Sequence, residues 1–171
     1  MFTEAERDIM VTFILTLFMC VLLFLLILSA TYFYPWEGLL KFFPEDIEEK
    51  ARLHKPPFAS APVFGWICML LCSAGMMGVI VYAGFEGIQN RFTFGQFFTR
   101  FLFIFYGLKA FDIIGLDYFL ITKSQFFQHF IPETKGCEGY HRFGYNRKEQ
   151  MKRIIMMPFG AFLSAWICTW F

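Results

Sequence analysis

Three long stretches of the chain carry no charged residue. Ile9 to Trp36 runs 28 residues, Pro56 to Phe85 runs 30, and Ile154 to Phe171 runs 18. About 20 apolar residues in a helix, rising about 1.5 Å each, cross a bilayer, so this pattern predicts three transmembrane helices. A fourth apolar stretch, from about Phe101 to Ile121, is interrupted by Lys109, Asp112 and Asp117. With its flanks it reads as a further span. The predicted fold class is all-α, a polytopic bundle of four transmembrane helices over about 9–34, 62–85, 96–122 and 147–171, in one membrane domain covering 1–171.

The joints are a first loop (35–61), a short turn (86–95) and a third connection (123–146). In the first loop, Pro44 followed by Glu45, Asp46, Glu48 and Glu49 reads as a helix first turn, with acids set against the helix dipole. Pro56 and Pro57 stop it. Before it, Trp36, Leu39, Leu40, Phe42 and Phe43 surround Lys41, which predicts a short cytoplasmic interfacial helix lying in the headgroup layer. The second span is rich in small residues. Ala74 with Gly78, and Ala83 with Gly87, form small-x-x-x-small pairs that admit close approach of another helix or a second subunit. Pro158 is expected to kink the last helix or force a local adjustment.

Composition agrees with this division. The chain is 57% hydrophobic and only 17% charged, where a soluble domain carries about 25% charge. The basic residues are also unevenly placed. The first loop and the region 122–153 hold 11 of them, against Arg7, Arg91 and Arg100 on the other side. The positive-inside rule then places both loops in the cytoplasm and both termini outside, as a multi-pass protein of the inner (plasma) membrane. Tyr32, Tyr34 and Trp36 would mark the inner interface, and Trp166 and Trp170 the outer. Glu4, Glu6 and Asp8 against Arg7 reverse the charge of a signal-peptide n-region, so the first apolar run is expected to stay as an anchor. Cys20, Cys68, Cys72 and Cys168 fall within predicted spans, where cysteine packs as a small hydrophobe rather than building a disulfide framework.

The charges in the third span matter most. At bilayer depth an ionised side chain faces the protein interior and pairs, or lines a pathway. Lys109 and Asp112, three apart, can pair on one helix face. Asp117 lies five residues beyond Asp112, about 140° around an α-helix, so the two acids are not expected to share a face. One reading is a self-neutralising ion pair. The other is a proton or ion relay, or a site for a cationic or phosphate-bearing group.

The third connection carries more chemistry than a linker needs. Gly136, Gly139 and Gly144 permit left-handed or tight backbone, and His129, Glu133, Cys137, Glu138, His141 and Arg142 lie among them. His54 joins the other two histidines on the same side. No H-x-x-x-H, H-E-x-x-H or C-x-x-C spacing occurs, so no metal or other cofactor is expected. Cys137 with His141 offers a nucleophile and base, with Lys135 and Arg142 to lower the thiol pKa, but no third group orients them. The basic collar of Lys135, Arg142, Arg147, Lys148, Lys152 and Arg153 suits anionic membrane lipids. Phosphate-binding loops, G-x-S-x-G and G-x-G-x-x-G are absent, and a net charge of +1 gives no sign of nucleic-acid binding.

Asp112, Leu116 and Asp117, followed by Pro132, Glu133, Thr134, Lys135, Gly136, Gly139, Tyr140, Phe143 and Gly144, form a recognisable run. It resembles small, uncharacterised bacterial integral membrane proteins with four predicted helices, in which an aspartate near the end of the third helix precedes a P-x-T-x-G…Y loop. The resemblance covers the carboxyl-terminal third. It implies the architecture and a bacterial source, brings no activity, and directs attention to Asp117 and the loop.

Three functional readings follow. The first is a small transporter-like protein with a polar path through Lys109, Asp112 and Asp117. The second is a membrane-embedded enzyme acting on a lipid headgroup through Asp117, His129, Glu133, Cys137, His141 and Arg142. The third is an accessory subunit whose charges dock it to a larger complex. Expected partners are membrane lipids and either further copies of the chain or another membrane protein.

Overall fold

In hydrocarbon a backbone must satisfy its own polar groups, which favours long uninterrupted helices. The chain builds three of them. In a computed structural model, which describes residues 3–33, 40, 43–144 and 146–171, all regular structure among the described residues is helical. Helix α1 (Glu4–Tyr32) and helix α3 (Ala61–Gln89) have 29 residues each, roughly 43 Å at the α-helical rise. Helix α6 (Arg147–Cys168) has 22 and continues through Pro158. These three are long and apolar enough to cross a membrane. Their outward faces carry large apolar side chains, such as Ile9 at 69%, Leu71 at 67% and Met156 at 63% exposure. Apolar faces of this extent mark contact with a membrane or with another protein.

Between the long helices lie α2 (Glu45–Ala51), α4 (Phe94–Ala110) and α5 (Phe127–Phe130). Pro44 stands at the N-cap of α2 with Glu45, Asp46 and Glu48 in its first turn, as the acid pattern predicts. Thr93 and Gln96 close a capping box at the start of α4, with the Thr93 N–H donating to Gln96 Oε1 at 2.8 Å. The third expected span does not stay α-helical. After Ala110 the ladder widens, and Phe111–Lys123 is a π-helix. Two short 3-10 turns follow α5, at Pro132–Thr134 and Glu138–His141.

The chain divides into two units. The first holds Met1–Leu22, Ala74–Phe111 and Lys148–Phe171. Its core is a row of rings, with Phe97 stacked on Phe101 (centroids 6.5 Å apart) and Phe101 on Phe105 (6.3 Å), over Met19, Val79, Ile104, Ala161 and Ala165. Small residues let neighbours approach here. A Cβ on Gly84 would meet Cys168 Sγ at 2.9 Å, one on Gly75 would meet Leu22 at 3.1 Å, and one on Gly87 would strike the Phe97 ring. Ala83 and Gly87 therefore pack within the chain, whereas nothing lies within 4 Å of the Cβ position at Gly78.

The second unit holds Leu23–Ser73 and Asp112–Arg147. It folds the two loops into one cap. Phe43, Ile47, Phe127, Cys137 and Tyr140 form one buried cluster, and Leu40, Ala51 and Ile131 another. Leu40 and Phe43, expected in the headgroup layer, are thus buried under the cap. The rest of that expected interfacial segment, with Trp36 and Tyr34 of the expected inner aromatic belt, lies outside the described residues.

Candidate functional site

The cap is held by polar contacts that the third connection makes with α2. The Asp46 carboxylate accepts the Gly139 N–H at 2.8 Å, and the Cys137 thiol donates to the Asp46 carbonyl at 3.4 Å. The Thr134 hydroxyl donates to the Ile131 carbonyl at 2.7 Å, so the buried Tyr140 O–H is left to donate to Thr134, at 2.8 Å. Burial pushes the Tyr140 phenol up to about 12, and the Thr134 bond offsets only part of that rise. His54 Nδ1 lies 2.9 Å from Glu133 Oε2. Burial works to raise the Glu133 carboxyl, but its own backbone hydrogen bond, then the His54 bond and charge, hold it below the usual carboxylate range.

The loop residues singled out from sequence are therefore distributed rather than gathered. His129 is exposed on α5. Glu133 serves His54 and Cys137 is buried at 4% exposure. His141 is exposed, with Gln125 at 3.4 Å as its partner, so Cys137 and His141 are engaged with different groups. Arg142 reaches Glu138 at 3.4 Å. Among the described residues, no group of three or more His, Cys, Asp or Glu side chains is placed to hold a metal ion.

The π-helix changes the account of the acids. Its backbone ladder closes on the fifth residue, as in the Ser124 N–H to Phe119 carbonyl bond at 2.8 Å, and the Thr122 hydroxyl also donates to the Asp117 carbonyl at 2.8 Å. Residues five apart on a π-helix stand to each other as residues four apart do on an α-helix. Asp112 and Asp117 consequently share one face, where α-helical geometry sets them about 140° apart. Both are half-buried. Lys109 lies in the last turn of α4 in the first unit, at 5% exposure.

Asp117 also lines a small nook with Thr122, Arg142 and Asn146, walled by Ile121 and Phe143 and closed by Pro44 and Gly139. Its volume of about 20 Å³ holds about one water molecule. A larger open groove of about 670 Å³ runs beside α2 past Glu45, Asp46, Glu49, Lys50, Cys137 and Arg142. Arg142 borders both, so the nook and the groove share one cation.

A second buried polar group lies in the first unit and escaped the sequence reading, which counted Arg100 only as a topology signal. Arg100 is 3% exposed, and its Nη1 donates to the Ala83 carbonyl at 3.1 Å and to the Glu86 carboxylate. The Phe92 ring covers the guanidinium, its centroid 4.2 Å from Cζ. Glu86 and Arg100 flank a turn of the chain, 14 residues apart, and that opposite-sign pair was the available signal. No family model matches this chain, and neither a curated protein nor a solved structure is similar enough to it to count as a match.

Proposed function

We propose that this is a small multi-pass membrane protein that passes protons along the π-helical segment, with Asp112 and Asp117 as successive carriers. The observation behind this reading is the shared face of the two carboxylates, which leads to a nook bordered by Asp117, Thr122, Arg142 and Asn146. The size of the nook favours protons over a larger cargo, because it accommodates a water molecule and no amphiphile. Carboxylates within an otherwise apolar helix are the usual material of proton relays. In this reading α4 and the π-helix together make the fourth span. The 11-to-3 distribution of basic residues supports a cytoplasmic cap with both termini outside, and the resemblance of the carboxyl-terminal third supports a bacterial inner membrane. The loop cap holds Asp117 and Arg142 at the inner mouth. Reconstitution into vesicles with an internal pH-sensitive dye tests the reading: imposing a membrane potential should drive proton entry through the wild-type protein, and Asp112→Asn should stop it at unchanged incorporation.

A further inference from the structure

A cleft of about 660 Å³ opens in the first unit, between the amino-terminal turns of α1 and those of α4. Ile9, Phe92 and Phe103 give it apolar walls, and Asp8, Gln96 and Arg100 put polar groups into them. Two of these groups are incomplete. Arg100 Nε and Nη2 are buried with no hydrogen-bond partner, since Glu86 and Ala83 engage only Nη1. Asp8 Oδ1 is likewise buried without a hydrogen bond, with Arg7 Nε 3.9 Å away as an ion-pair partner. Buried donors and acceptors of this kind are almost always satisfied, and leaving a charged one unmet is costly.

The missing partners have opposite chemistry. The Nε and Nη2 edge of a guanidinium is a fork that takes two oxygens of one phosphate or carboxylate. The Asp8 carboxylate needs a hydrogen-bond donor, best a cationic one. With Glu86 already neutralising much of Arg100, the cleft suits a ligand of no net charge that carries both an anionic oxygen pair and an ammonium group, on an apolar body. We infer that this cleft binds one phosphatidylethanolamine-type lipid, its phosphate on Arg100, its ammonium on Asp8 and its acyl chains along Ile9 and Phe103.

Full-length protein in nanodiscs of equal phosphatidylethanolamine and phosphatidylcholine, released for native mass spectrometry, tests the assignment. The two headgroups share the phosphate, and only ethanolamine offers N–H donors. One ethanolamine lipid should be retained about tenfold over choline, the worth of one hydrogen bond to a charged group. Asp8→Asn should abolish that preference, and Arg100→Gln should lose the retained lipid altogether. Equal retention of both lipids by the wild type, no retained lipid, or a preference unchanged in Asp8→Asn would each overturn the inference. So would a vesicle-derived phosphatidylglycerol that displaces the ethanolamine lipid. Should Arg100→Gln fail to accumulate, the headgroup competition and Asp8→Asn still decide it.

Discussion

The Asp46 carboxylate closes on Gly139 so tightly that no side chain fits there. The Gly139 N–H donates to Asp46 Oδ2 at 2.8 Å, while a Cβ on Gly139 would strike Asp46 Oδ1 and come within 2.6 Å of the Pro44 ring. Gly139 is needed for this approach and not for an unusual backbone angle. Gly139→Ala should cost about 1–3 kcal/mol by overpacking and should loosen the cap. Thermal unfolding in nanodiscs with limited proteolysis of the third connection checks this. An unaltered cleavage pattern would contradict the contact.

The Glu86–Arg100 pair should behave as a buried ion pair. Glu86 and Arg100 side chains are 14% and 2% exposed. Removing the acid leaves a desolvated guanidinium, so Glu86→Ala should destabilise the protein by about 3–5 kcal/mol. A loss below about 1 kcal/mol, the range of surface pairs, would place the arginine in water instead.

The His54–Glu133 contact gives the cap a pH dependence of definite sign. Glu133 ionises more readily folded than unfolded, so its contribution is present above the unfolded carboxylate pKa and is lost as pH falls through the lower folded value. Amide exchange at Thr134 and Lys135 should therefore speed up in acid relative to its intrinsic rate. Glu133→Gln should remove that acid-dependent change.

Cys137 should be inert until the cap opens. Its thiol is buried and directed to the Asp46 carbonyl. Alkylation of Cys137 in a variant lacking the other four cysteines should be slow in the folded protein and fast in denaturant, with His141→Ala leaving the rate unchanged. Rapid labelling in the folded state, slowed by His141→Ala, would support a nucleophilic pair.

Much of the fold was legible because long apolar runs and proline-acid punctuation each have one physical meaning. The runs around Leu17 and Leu71 became helices with apolar faces, and Pro44 with Glu45 and Asp46 began α2 where the acid pattern put it. Gly136 and Gly144 take φ of +79° and +78°, the left-handed conformation their spacing allowed. The site was less legible. Periodicity reading assumes the α-helical turn, and no proline marks the change at Phe111, so the shared face of Asp112 and Asp117 was hidden. Arg100 was hidden for a different reason: whether an arginine near a span end is solvated or buried depends on Glu86 and Phe92, which only tertiary packing brings to it.

Proton flux through the two carboxylates tests the central claim most directly. In dye-loaded vesicles, wild-type protein should carry protons down an imposed potential, with Asp112→Asn and Asp117→Asn each abolishing flux while Glu133→Gln preserves it. Wild-type flux no greater than that of protein-free vesicles, or full flux in both aspartate variants, would contradict the account.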